Sequence, residues 1–80
     1  MQIPKELELD LERQDIDVTN DKIRALNKLV ETEEDAVELV KYIKKVVYNS
    51  SFVGYITMSS RRVAGVTVDY IEGLKPREEN

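Results

Sequence analysis

The chain has 80 residues, a formal net charge of −4, and neither cysteine nor histidine. That length supports one domain with a small core, and the missing residue types exclude disulfide frameworks, thiol catalysis and the usual general base and metal ligand. No run approaches the roughly 18 apolar residues that cross a bilayer, and residues 1–6 lack the apolar stretch of a secretory leader. The expectation is therefore a soluble, cytoplasmic protein with no membrane contact.

In chain order, residues 5–12 alternate Leu7, Leu9 and Leu11 with Glu6, Glu8, Asp10 and Glu12. This is the period-two pattern of a half-buried strand. Ile16 and Val18 continue the alternation after residues 12–15, so the pattern predicts either an N-terminal hairpin or one bulged strand. Helix-forming Leu and Glu leave a helix as the third reading of this segment.

Thr19, Asn20 and Asp21 resemble a helix start, because short oxygen-bearing side chains accept bonds from the first free amides. Ile23, Leu26, Leu29 and Val30 follow at helical spacing. Thr32 to Asp35 read as a capping box, and behind it Ala36, Val37, Leu39, Val40, Ile43, Val46 and Val47 hold a 3.6-residue period over about four turns. Asn49, Ser50 and Ser51 end this second helix.

Residues 52–58 and 63–71 are rich in β-branched and aromatic side chains and predict a second hairpin. Residues 59–62 form its expected four-residue loop, with Met58 facing Val63 and Tyr55 facing Val66. Residues 74–80 read as a flexible polar tail beyond a single domain of residues 1–73. The fold class is α+β: two helices packed on a small antiparallel sheet, in the order β(β)ααββ.

The functional reading rests on charge. Residues 1–40 carry twelve acids and five bases, and residues 41–80 four acids and seven bases. Between Glu38 and Asp69 no carboxylate occurs, and this block holds Lys41, Lys44, Lys45, Arg61, Arg62 and four of the five aromatics, Tyr42 among them. Such polarity steers a partner or a second copy. Part of it follows from helix chemistry, since acids at the start of the second helix and Lys44 and Lys45 near its end complement the helix dipole. Glu38 is spaced to pair with Lys41. Arg61 and Arg62, preceded by two serines, would make an anion-contacting hairpin tip.

Glu6, Glu8 and Asp10 would stand about 7 Å apart on one strand face. That is too wide for neighbours to clasp one ion, and it suits a solvated face, a charged edge or a mimic of a phosphate row. The serines have no histidine partner, and Gly54, Gly65 and Gly73 match no nucleotide-binding spacing. The sequence therefore predicts no enzyme and no cofactor. It predicts a small acidic regulator or inhibitor that docks on a larger protein and self-associates into a homo-oligomer. Arg61, Arg62, Lys41, Lys44, Lys45, Tyr42, Glu6, Glu8 and Asp10 are the candidate contacts. The alternatives are a nucleic-acid-binding module, using the basic helix end and the arginine tip, and a structural subunit of an assembly.

Overall fold

The computed structural model describes residues 1–77. A 3-10 turn, Lys5–Leu7, precedes helix α1 (Ile16–Lys28) and helix α2 (Glu33–Tyr48), followed by an antiparallel hairpin of β1 (Gly54–Val63) and β2 (Val66–Pro76). The α+β class stands: two helices and a two-stranded antiparallel sheet. The order departs from expectation, because neither the Leu7–Leu9–Leu11 segment nor Ile16 and Val18 enter a strand.

Helix α1 begins earlier than Thr19. Asp15 caps it, its carboxylate accepting from the Val18 amide at 2.8 Å. Ile16 and Val18 thereby belong to its first turn, and their apparent alternation is two points on a helical surface. The buried positions Thr19, Ile23, Leu26 and Asn27 recur one turn apart and form the inward stripe.

Helix α2 starts where its capping box predicts: the Thr32 hydroxyl accepts from the Asp35 amide at 3.0 Å. Ala36, Leu39 and Ile43 are its buried face. Asn49 follows the last turn, and the Ser50 hydroxyl donates to the Val47 carbonyl at 2.7 Å, satisfying one of the free carbonyls there.

The hairpin turns at Ala64 and Gly65, with Val63 paired to Val66, and not at residues 59–62. Both turn residues have positive φ, 50° and 83°. That is the two-residue turn whose twist matches a right-handed ribbon, and Gly65 supplies the conformation that other side chains resist. Every pairing shifts accordingly: Tyr55 lies opposite Lys75 and Met58 opposite Ile71. The register slips between Thr57 and Met58, leaving Glu72 as the extra residue of a bulge in β2. The expected polar tail begins too early, because Leu74 is buried and β2 continues to Pro76. Residues 78–80 lie outside the described residues.

Leu9, Ile23, Leu26, Leu39, Ile43, Ile71 and Leu74 form the main core, drawing on both helices, β2 and the N-terminal segment. Full burial of each such aliphatic side chain contributes about 1.5–3 kcal/mol. Ala36, Val63 and Val68 make a smaller cluster beside Val30. The N-terminal segment lies against the core as irregular chain: Leu9 is buried, Leu7 and Leu11 are half-buried, and the Leu9 amide donates to the Tyr42 hydroxyl at 2.9 Å.

Candidate interaction surfaces

Helix α2 packs against β2, and its outer margin does not close on the rest of the hairpin. Between them runs an open groove of about 530 Å³, floored by Ala36, Val37, Val40, Met58 and Val68. Glu33 and Asp69 belong to its rim, as do Lys41 and Lys44. Eleven helical residues separate Glu33 from Lys44, about 16 Å, so the groove is acidic towards one end and basic towards the other. Lys44 and Met58 also line a second hollow with Val47, Tyr48, Tyr55 and Ile56, which extends the apolar surface along β1. Val37 is 47% exposed, Met58 43%, Tyr55 56% and Tyr48 73%. Large apolar side chains clustered in the open mark a contact surface more often than singly scattered ones do.

Of the residues expected from sequence, Lys41 and Lys44 lie on this groove, while Lys45 lines a different hollow beside residues 9–12 and Tyr42. Among the described residues none of the three lysines is in an ion pair; Glu38, spaced for Lys41, instead pairs with the Met1 amino group. Tyr42 is half-buried, its hydroxyl engaged by the Leu9 amide.

Arg61 and Arg62 sit in β1, not in a loop. The Arg61 guanidinium donates to the Asn27 carbonyl at 2.7 Å and lies 5.0 Å from the Tyr70 ring centroid, so it ties the hairpin to the end of α1. Arg62 is exposed and donates to the Gly65 carbonyl, bracing the turn. The five bases of the carboxylate-free block thus divide among separate places.

The acidic ladder is not a ladder. Glu6 is exposed in the 3-10 turn. The Glu8 carbonyl accepts from the Gln14 amide group at 3.2 Å and from Lys22 at 3.3 Å. The Asp10 carboxylate accepts from the Glu12 amide at 3.1 Å and faces Arg13 at 3.7 Å, holding a local turn. Among the described residues no group of three or more potential ligands is arranged to hold a metal ion, and no helix is long and apolar enough to cross a membrane.

Sequence reasoning missed Val37, Met58 and Tyr55 as surface. The α2 period includes Val37, but a stripe that wide does not reveal which margin faces solvent. Also missed were the roles of Asn20, read as part of a helix-start signal, and of Asn27. The Asn20 amide donates to the Leu74 carbonyl at 3.0 Å while its oxygen accepts from the Leu74 N–H at 2.7 Å. Asn27 donates to the Ile71 carbonyl at 2.8 Å. Together they occupy the outer edge of β2 as another strand would.

Comparison with protein-family models, curated proteins and solved structures gives no match.

Proposed function

We propose that the protein is a non-catalytic interaction protein, a small acidic regulator or inhibitor that docks on a larger protein through the groove between α2 and the hairpin. The observation that carries this reading is the exposed apolar floor around Val37 and Met58, bordered by Lys41 and Lys44 without ion-pair partners among the described residues. The complementary partner surface is an apolar segment with a carboxylate at the end that meets the lysines, and a counter-charge towards Glu33 and Asp69. Apolar area supplies affinity in such a contact, while the terminal charges set orientation and association rate. Catalysis is no part of the reading, since a chain without histidine or cysteine lacks the commonest acid–base and nucleophilic groups.

Direct nucleic-acid binding is the weaker reading. It needs Lys41, Lys44, Lys45, Arg61 and Arg62 on one surface, and two of the five are committed to contacts within the fold.

The test is affinity capture from the native source, followed by reconstitution of the recovered protein with purified wild type, Val37→Asp and Asp21→Ala. Both positions are exposed, so neither variant should unfold the chain. Val37→Asp should weaken binding at least about tenfold, and Asp21→Ala should leave it unchanged. Equal binding by Val37→Asp would place the contact elsewhere and sink the groove reading.

A further inference from the structure

The two long edges of the hairpin differ in a way that identifies what covers one of them. Leu74 directs both its main-chain groups at Asn20, and Ile71 its carbonyl at Asn27. Both residues therefore belong to the pairs of the ladder whose main-chain groups point outward, Ile56 with Leu74 and Met58 with Ile71. Pro76, which has no N–H, stands opposite Gly54 in the same phase. By alternation Gly54, Ile56, Met58, Ser60 and Arg62 present their N–H and C=O groups at the outer edge of β1. Among the described residues, no hydrogen bond engages those main-chain groups.

A long bare edge is a pairing template, and proteins commonly blunt one with proline, lysine or inward charge. Here residues 54–60 contain no proline and no charged residue. Met58 is the midpoint of the five outward residues, so a two-fold axis through it satisfies every one of them. In that register Gly54 meets the partner subunit's Arg62, Ile56 meets the partner subunit's Ser60, and Met58 meets its own counterpart. The charges sort as well. Arg61 and Arg62 are the only charged residues of β1, and the register sets Arg61 against an exposed tyrosine, Tyr55, and Arg62 against glycine. No arginine faces an arginine, which would be destabilising directly across a ladder.

We infer that two copies of this chain associate through their β1 edges, antiparallel about Met58, to make a continuous four-stranded sheet in the order β2-β1-β1-β2. This association uses the main-chain groups of the β1 edge, not the groove, although the Met58 side chain belongs to both surfaces. Each copy has a net charge of −4, so long-range repulsion opposes the pairing and added salt should strengthen it. An association between the acidic and basic halves would respond the opposite way.

The experiment is light scattering after size-exclusion chromatography, over a wide range of protein and salt concentration, on wild type, Ser60→Pro and Met58→Lys. Proline at Ser60 removes an outward N–H that the hairpin's own ladder does not use. Lysine at Met58 sets like charges together at the axis without changing any main-chain donor. The expected result is a dimer that tightens with salt and is weakened at least about tenfold by either change, with each variant's circular dichroism unaltered. Because the chain has no cysteine, Met58→Cys adds a direct readout. Paired Cα atoms about 5.5 Å apart lie within disulfide reach, so mild oxidation should give a covalent dimer, whereas Asp21→Cys should not. A monomer under all conditions overturns the inference. So does a dimer that salt disperses, or one unaffected at both Ser60 and Met58.

Discussion

The two edges of the same hairpin are treated in opposite ways. The β2 edge is closed by side-chain amides projecting from α1, two turns apart on the helix, which meet main-chain groups three residues apart on the strand. The spacing works because two helical turns advance about 10.5 Å and three strand residues about 10 Å. Among the described residues the β1 edge has no such cover, and it is flanked by exposed Val53, Tyr55 and Met58. A small protein can therefore hide a strand edge with two asparagines placed mid-helix, and the edge left open shows where chemistry remains to be satisfied. The N-terminal leucines alternate as a strand would, yet the segment joins neither edge of the sheet and packs on the core as irregular chain.

Breaking the closed edge should cost most. Asn20→Ala leaves the Leu74 N–H and C=O without partners beside a side chain that is only 2% exposed. Each orphaned group costs about 1–3 kcal/mol when buried, so the variant should lose roughly 2–4 kcal/mol in urea denaturation. A loss below about 0.5 kcal/mol, the size of an ordinary surface change, would show that the amide pairing contributes little.

Gly73→Ala attacks the same contact from the strand side. A Cβ on Gly73 would lie 2.9 Å from the Asn20 side-chain oxygen and 3.2 Å from its Cγ. The asparagine must shift, at about 1–3 kcal/mol for crowding a packed site. The two changes should not add: with Asn20 already alanine, Gly73→Ala should become nearly neutral. Full additivity would mean that the glycine serves backbone conformation and not the approach of Asn20.

Legibility from sequence followed how local each signal was. Helix α2 was readable because its cap, its period and its end all lie within the segment itself. The start of helix α1 was misplaced because Thr19 and Asn20 look like cap residues, whereas the cap is Asp15, four residues before Thr19. Instead the Thr19 hydroxyl donates back to the Asp15 carbonyl at 2.8 Å, and Asn20 reaches a strand 54 residues away. No local pattern announces a side chain whose partner lies that far along the chain. The turn was misplaced for a similar reason: the polar run 59–62 looks like a loop, yet Arg61 is drawn into the fold by the Asn27 carbonyl and the Tyr70 ring. Gly65 carried the correct signal, masked by Ala64, an uncommon residue at positive φ. Of the site, the basic rim at Lys41 and Lys44 was legible as charge. Its apolar floor was not, because it exists only once the hairpin register is known.

The open edge should be far more tolerant. Ser60→Lys alters an exposed residue whose main-chain groups lie outside the hairpin's own ladder. Its stability, measured as monomer at low concentration, should change by no more than about 0.5 kcal/mol. A loss comparable to that of Asn20→Ala would mean that the edge is occupied within the monomer, and the contrast between the two edges would collapse.

The smallest effect concerns how α2, the helix beside the open groove, is started. The Glu31 amide donates to the Asp35 carboxylate at 3.1 Å, and with the Thr32 contacts this holds the carboxyl below its ordinary 3.8. A carboxyl whose folded pKa is depressed stabilises the fold at every pH above its unfolded value. That contribution disappears as pH falls through the folded value, so the window lies below 3.8. The side-chain amides of Asn20 and Asn27 that hold the β2 edge do not titrate in this range. In acid titrations followed by circular dichroism, Asp35→Asn should flatten the part of the acid limb below 3.8, whereas Asn20→Ala should lower stability without reshaping that limb. If Asp35→Asn and wild type lose stability in parallel through that window, the start of α2 does not depend on the charge of Asp35, and the Thr32 hydroxyl alone holds it.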